Sequence, residues 1–357
     1  MLDSESSLRL NLLRFPLVAL IVFLHAYSST VGFSDREIGV HHSIFIVDFV
    51  RNFVSQGVAR IAVPVFFLIS GYLFFFGFEW SKENYLIKLK SRTKSLLIPF
   101  LFWNITTLLI NALAQDIPAT KIFFSGEHAL VATFSVFDYL NAIIGFTRYP
   151  ISYQFWFIRD LIILVMLAPL VHIINRVSPL SFLGVILICW LTDVWPVYVP
   201  SSEALLFFSF GGYLASIRKN LFNLDQFGAV IVVLYLTFVT IDILTRNLTF
   251  NPYLHKIAIL LGVSAALFST KYIAQNERLQ SLILRLSGAS FFVFAIHEPL
   301  LTILRKISYR IISPSSPSAI IALYIVIPTI TILFAVVAYR GFVRVAPRFA
   351  SVVTGGR

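Results

Sequence analysis

Apolar residues in this chain run together in long stretches broken by short polar connections rich in Pro and Gly. Ten stretches stand out, at about 12–30, 61–78, 96–114, 153–175, 181–195, 203–217, 227–245, 254–270, 287–304 and 318–338. A helix needs about 20 apolar residues to cross a bilayer core. The pattern therefore predicts an all-α polytopic membrane protein with about ten transmembrane helices. The strict alternation that marks a β-barrel is missing. The fifth and sixth stretches are short and separated by the turn around Trp195-Pro196 and Pro200. Segment 44–58 carries Asp48, Arg51 and Asn52 along an only moderately apolar run, and reads as an interfacial amphipathic helix rather than a span. The first stretch contains Arg14 and His25 and has no small-x-small site after it, so it reads as a retained helix and not a signal peptide. Residues 1–340 then form one membrane domain, with 341–357 a short basic tail.

Composition agrees. The chain has 357 residues, 58% apolar and 13% charged, where an ordinary soluble domain is about a quarter charged. The net charge of +11 has its simplest partner in the lipid bilayer and not in nucleic acid, because Lys and Arg gather on the cytoplasmic side of membrane proteins. With the N-terminus inside, the larger share of the 28 Lys and Arg falls on cytoplasmic segments. Among them are Arg9, the run Lys82 to Lys94, Arg218, Lys219, Lys271, Arg285 and the tail arginines; Arg305, Lys306 and Arg310 fall on the other side. Both termini are thus expected in the cytoplasm. The single Cys189 excludes an internal disulfide and any cysteine metal cluster. No His and carboxylate set at ligand spacing and no Gly-rich phosphate loop is present, so neither a metal nor a bound cofactor is expected.

An ionisable residue inside a span costs roughly 2.5–3.5 kcal/mol on insertion scales, so each asks for a reason. Arg14 and His25 share the first span. Eleven residues apart, they are separated by about 16 Å of rise and only about 20° of rotation, on one helix face. The bland alternative has Arg14 snorkelling to headgroups and His25 bonding a neighbouring helix. Arg60 stands at the mouth of the second span, whose Ser70-Gly71 suit close helix packing. Before the third span, Lys88/Arg92 and Lys90/Lys94 form two basic rows at i,i+4, able to clamp phosphates or simply to set topology. Trp156, Arg159 and Asp160 open the fourth span, and His297-Glu298-Pro299 interrupts the ninth. Neighbours on a helix do not face one another, so His297 and Glu298 are not a dyad by default. His41, His42, His128 and His255 fall in expected connections and His172 near a span end.

On these residues the chain resembles the acyltransferase-3 family of integral membrane acyltransferases, in the form without an SGNH domain. The most specific match is a basic residue and a His separated by ten residues in the first helix, here Arg14 and His25. The second is the run Val63 to Tyr72 with Arg60 upstream, although Gly57-Val58-Ala59-Arg60 lacks an Asp that some members carry. Arg92 and Lys94 match the basic pair after the second helix; Trp156-Phe157 and His297-x-Pro299 match more loosely. The resemblance implies transfer of an acyl group, acetyl above all, from acyl-CoA to a hydroxyl of a cell-surface or lipid-linked glycan. It also implies the bacterial inner membrane. Arg14, Arg92 and Lys94 would hold the donor's phosphates, with Arg60, Ser70, Trp156, Asp160 and His297 as additional site candidates. His25 would serve as general base, His being the side chain suited to accept a proton near neutral pH; an acyl-histidine intermediate is the other route. The competing class is a transporter or flippase, whose matching broken halves are not visible in the sequence.

Sidedness can be tested directly. With Cys189 replaced, single cysteines at 82–94 should be reached by thiol reagents only from the cytoplasm, and those at 34–42 only from outside. Cytoplasmic labelling at 34–42 would invert the topology.

Overall fold

The computed structural model describes residues 3–40, 42–118, 120 and 130–356; His41 and His128 lie outside the described residues. In chain order the helices are α1 (Ser4–His25), α2 (Phe45–Phe75), α3 (Lys82–Asp116), α4 (Tyr153–Met166), α5 (Ala168–Val177) and α6 (Pro179–Thr192). They continue with α7 (Ser202–Ser216), α8 (Asn223–Leu244), α9 (Asn251–Gln275), α10 (Glu277–Ser287), α11 (Ser290–Ile312) and α12 (Pro317–Val345). Short helices cover Val136–Ile144 and Pro347–Val353. Among the described residues, six helices (α1, α2, α3, α8, α9 and α12) are each long and apolar enough to cross a membrane. The bent pairs α4/α5, at 63°, and α10/α11, at 68°, raise that to as many as 8. The protein is an all-α, multi-pass membrane protein. The two remaining expected spans correspond to α6 and α7, of 14 and 15 residues, shorter than the roughly 20 residues of a full crossing.

Segment 44–58 departs from expectation. It is no separate interfacial helix but the first part of α2, continuous through Phe75. Its polar residues are held inside the protein: Arg51 is buried, donates from Nε to the Tyr27 carbonyl at 2.8 Å and pairs with Asp48 at 3.6 Å. A second departure is a small antiparallel hairpin, β1 (Thr30–Gly32) with β2 (Glu37–Gly39), inside an otherwise helical chain.

Prolines explain where the long helices become irregular. A proline has no N–H for the carbonyl four residues earlier and crowds it. In α2, Pro64 is preceded by a π-helical stretch over Asn52–Val58 and a 3₁₀ turn over Ala59–Ile61; in α3, Pro99 is preceded by a π turn over Thr93–Leu97. The basic run Lys82 to Lys94 therefore belongs to the same long helix as the third span.

The chain divides into two compact units, Met1–Ile21, Phe53–Thr93 and Asp160–Ser290 in the first, and Val22–Asn52, Lys94–Arg159 and Phe291–Arg357 in the second. In the first unit Ile61, Tyr235, Val239, Ala258 and Ala265 form a core, with Leu20 packed against it. Arg9 closes one end. It is buried, pairs with Asp225 at 2.5 Å, donates to Thr270 Oγ1 at 2.8 Å and to the Leu267 carbonyl at 3.0 Å, and stacks on Phe222 at 3.7 Å. Asn220 reaches Ser6 and Ser287 reaches Asn11 at this same end. Residues near 220, 270 and 287 thus gather at the start of α1. Helices α2 and α7 meet through glycine: a Cβ on Gly71 would lie 2.0 Å from the Phe208 carbonyl oxygen, and one on Gly211 would lie 2.1 Å from that of Leu68. Close packing accounts for Gly71.

The second unit is built on the later part of α3, on α11 and on α12. Leu108, Val131 and Ala142 form a small core. The Val136–Ile144 helix starts with a capping box between Ser135 and Asp138 and stops at Gly145, whose φ of +79° favours glycine. Helix α12 continues to Val345, and the Pro347–Val353 helix ends where Trp103 Nε1 donates to the Val353 carbonyl at 2.9 Å.

The α2–α7 contact yields a paired expectation. Gly71→Ala forces overpacking, which costs about 1–3 kcal/mol, and should lower the thermal midpoint of the detergent-purified protein. Gly184→Ala in α6, where no atom lies within 4 Å of the added Cβ, should leave it unchanged or raise it. Equal midpoints would refute the close approach.

Candidate functional site

The site of interest lies in the second unit and is assembled by a proline. Pro299 lies inside α11 and offers no N–H to the carbonyl of Ala295. That carbonyl accepts instead from Gln154 Nε2 at 3.2 Å. The neighbouring Ser152 is fixed as well: its N–H donates to Asn104 Oδ1 at 3.2 Å and its hydroxyl to Thr107 at 2.8 Å, both on α3. Held on both sides, the 3₁₀ turn Tyr153–Phe155 at the start of α4 presents Tyr153 to α11.

Tyr153 is the centre of a hydrogen-bonded chain. Its hydroxyl donates to Glu298 Oε1, and its oxygen lies 2.9 Å from His25 Nδ1. Thr302 donates to the other carboxylate oxygen at 3.0 Å. A phenol has one proton to give. With that proton directed at the carboxylate, the Tyr153 oxygen is the acceptor and His25 Nδ1 carries the hydrogen. His25 is thereby held in the tautomer protonated at Nδ1.

His297 completes the group. It is fully buried; Nδ1 donates to the Phe294 carbonyl at 2.7 Å, and Nε2 has no hydrogen-bond partner. Its ring centroid lies 5.3 Å from that of His25, at 37°. His297 and Glu298 each enter the cluster, but through His25 and Tyr153 and not through each other. His25 is the last residue of α1, which stops short of residue 30.

The other candidates are distributed as follows. Arg14, eleven residues before His25 on continuous α1, is exposed and belongs to the first unit, as do Arg60, Ser70, Arg92 and Asp160. Lys94 and Trp156 belong to the second. Arg92 is half-buried and Lys94 exposed on α3, while Lys88 is committed to the Phe74 carbonyl and the ring of Phe78. Asp160 is buried and accepts from the Ser201 N–H at 2.8 Å, where α7 begins; Arg159 donates to the Gly145 carbonyl at 2.6 Å. Arg60 donates to Gln56 Oε1 at 3.0 and 2.7 Å. His172 stacks on Trp80, 4.4 Å between centroids. His255 sits in the first turns of α9, not in a loop, with Nδ1 2.8 Å from Asp242. No group of three metal-ligating side chains occurs among the described residues.

A family model described as an acyltransferase domain matches residues 7–340. The chain belongs to the acyltransferase-3 family. As a member of it the protein is an acyltransferase, and the transporter reading falls away. It is similar to the succinoglycan biosynthesis protein ExoH of Rhizobium meliloti (strain 1021), 26% identical over 382 residues covering 100% of this chain and 94% of the relative. No solved structure gives a significant match.

Tyr153 was not legible as a site residue. Its only sequence signal is a phenol two residues before the Phe155-Trp156 that opens a span, which is common at membrane interfaces. In this acyltransferase, Tyr153→Phe removes both the acceptor for His25 Nδ1 and the donor to Glu298. Turnover should fall on the order of 10²-fold, the cost of a misplaced group, with little change in KM. An unaltered kcat would show that the chain from His25 to Glu298 has no role in transfer.

Proposed function

We propose that this acyltransferase moves an acyl group, which we take to be acetyl, from acyl-CoA to a hydroxyl of a cell-surface or lipid-linked glycan. The observation that carries the reading is the chain His25–Tyr153–Glu298, which orients one imidazole as a proton acceptor. The relative ExoH is a succinoglycan biosynthesis protein, and its polysaccharide supports a glycan acceptor here. In this mechanism His25 Nε2 takes the proton of the acceptor hydroxyl as the oxygen attacks the thioester carbonyl. The C–S bond breaks, the ester C–O bond forms, and His25 returns its proton to the leaving thiolate. Glu298, through Tyr153, keeps the ring oriented and stabilises its transient positive charge. Arg14 on the same helix, with Arg92 and Lys94 on α3, would supply the guanidinium and ammonium groups for the donor's phosphates. On this reading the protein works in the bacterial inner membrane. Ten crossing helices with both termini in the cytoplasm require the short α6 and α7 to cross as well.

Substitution at His25 tests the mechanism. General-base help is worth about 10²–10⁴-fold, so His25→Ala and His25→Gln should both lose activity on that scale, measured by transfer of labelled acyl groups from acyl-CoA. Donor binding should stay near normal in both. If His25 serves only as a hydrogen-bonding strut, Gln rescues activity; an active Gln variant would remove His25 as the base and shift attention to His297.

A further inference from the structure

On the topology expected from the sequence, Arg305, Lys306 and Arg310 of α11 fall on the side of the membrane where cations are least expected. Two of them account for themselves. Lys306 and Arg310 lie over the ring of Phe33, 5.7 and 5.6 Å from its centroid, and hold the residue that follows β1. Arg305 is different. Its Nε is buried without a hydrogen-bond partner, whereas Arg9, Arg51 and Arg159 each bond a carbonyl. It lines a cavity of about 10 Å³ with Ala26 and Ser28, close after His25, and with Leu323 and Ile327 of α12. Such a volume holds one water molecule and not a carboxylate or a phosphate, so an anion site does not explain the residue. Nor does snorkelling, which keeps the charged head in water.

Its place on the helix sets what Arg305 acts on. Glu298, Thr302, Arg305 and Tyr309 recur at intervals of four, three and four residues, and so form one stripe along α11. Arg305 follows Glu298 by seven residues, which is about 10 Å of rise and about 20° of rotation. Helical side chains lean toward the N-terminus, which carries this guanidinium back toward the carboxylate. Arg305 interacts electrostatically with Glu298 and Tyr153, and with its neighbours Lys306 and Tyr309. Arg51, which also acts on Tyr309, is matched by Asp48 at 3.6 Å. The titratable and charged groups around Glu298 are His297 beside it, Tyr153 from α4, His25 beyond Tyr153, and Arg305. His297 donates to the Phe294 carbonyl, and Tyr153 and Thr302 give Glu298 hydrogen bonds without charge. Of these groups, Arg305 is the permanent cation.

We propose that Arg305 is the counter-charge that keeps Glu298 ionised, and is thus a positioning residue acting through Glu298 and Tyr153 on His25; its bearing on transfer rests on the mechanism above. The charge on Glu298 decides the direction of the whole chain. An ionised carboxylate only accepts, so Tyr153 turns its proton to Glu298 and its oxygen to His25 Nδ1. A protonated carboxyl is itself a donor. It would bond the Tyr153 oxygen, turn the phenol proton toward His25 Nδ1, and leave the imidazole hydrogen on Nε2, where a base needs its lone pair. An uncompensated carboxylate inside a span is costly and tends to neutralise. A full charge about 10 Å away, at the effective dielectric of protein pairs, changes proton affinity on the order of tenfold. Arg305 supplies that charge from the same helix, without a direct contact that would compete with Tyr153 and Thr302 for the carboxylate oxygens.

The test reads Glu298 directly, in the full-length protein in detergent with neither donor nor acceptor. A protonated carboxyl gives an infrared C=O stretching band that a carboxylate lacks, and the band is that of Glu298 where Glu298→Gln abolishes it. Wild-type Glu298 should be ionised at pH 7, and titration of the band should show a proton affinity about tenfold or more higher in Arg305→Gln. Arg305→Lys, which keeps the charge, should titrate near wild type, and Lys306→Gln should have the smaller effect. Arg305→Met, whose side chain suits the apolar lining, serves if Arg305→Gln fails to fold. Turnover gives a second readout: Arg305→Gln should lose kcat from the acidic side, with KM little changed, and should add nothing to Glu298→Gln. A protonated wild-type Glu298 at pH 7, an unchanged titration in Arg305→Gln, or an equal effect of Lys306→Gln would each overturn the proposal. An altered titration with kcat unchanged would tell against the His25 mechanism and leave the counter-charge standing; an unchanged titration with activity lost in His25→Gln would do the reverse.

Discussion

A polar atom surrounded by apolar side chains or lipid must find a partner inside the protein, and the architecture follows from how this chain meets that demand. Arg9 shows the demand at full strength. Burying a guanidinium is costly, and removing one member of a buried pair costs about 3–5 kcal/mol. Here Asp225, Thr270, the Leu267 carbonyl and the face of Phe222 all converge on it. These residues lie more than two hundred positions away in sequence, so one charge ties the first turns of α1 to the start of α8 and to α9. Arg51, Asp160 and Arg159 serve the same purpose elsewhere, each bonding a backbone group near the start or end of an element.

The same demand builds the His25 cluster. Pro299 exposes a carbonyl, Gln154 answers it, and Tyr153 is carried with Gln154 to the point where it joins His25 to Glu298. A helix defect is thus converted into a positioning device. The carboxylate, also held by Thr302, takes the Tyr153 proton and so leaves the phenol oxygen to accept from His25 Nδ1. Polar groups that would be a burden in an inert bundle are here connected into a chain with a direction. The α2–α7 contact solves a different problem, since two apolar helices gain little by meeting in lipid. It relies on glycine to bring backbones into van der Waals contact.

Much of this was legible in the residues themselves. Long apolar runs dictate membrane helices because an unpaired backbone cannot enter lipid in any other open form. Arg14 and His25, with ten residues between them, form a motif that with Val63 to Tyr72 points to the family. His297 stands out as an ionisable residue in a span. The boundaries were less legible. Segment 44–58 carries enough polar residues to resemble a surface helix, because sequence does not reveal that Arg51 will be enclosed by Tyr27 and Asp48. The two short stretches resemble spans, yet α6 and α7 stop at 14 and 15 residues.

Sequence by itself determined the solvent, the helical class, the family and the histidine at the end of the first helix, because each depends on local composition or on fixed spacing along one helix. Tertiary structure decided the partners. Tyr153 is one of 14 tyrosines and carries no local mark, and Glu298 reads as a neighbour of His297 that points elsewhere. Only the packing of α4 against α11, set by a missing N–H at Pro299, brings that phenol and that carboxylate to His25. His255 likewise looked incidental until the turn between α8 and α9 placed Asp242 against it. Hydrogen bonds between residues more than a hundred positions apart are fixed by the fold, and no periodicity along the chain encodes them.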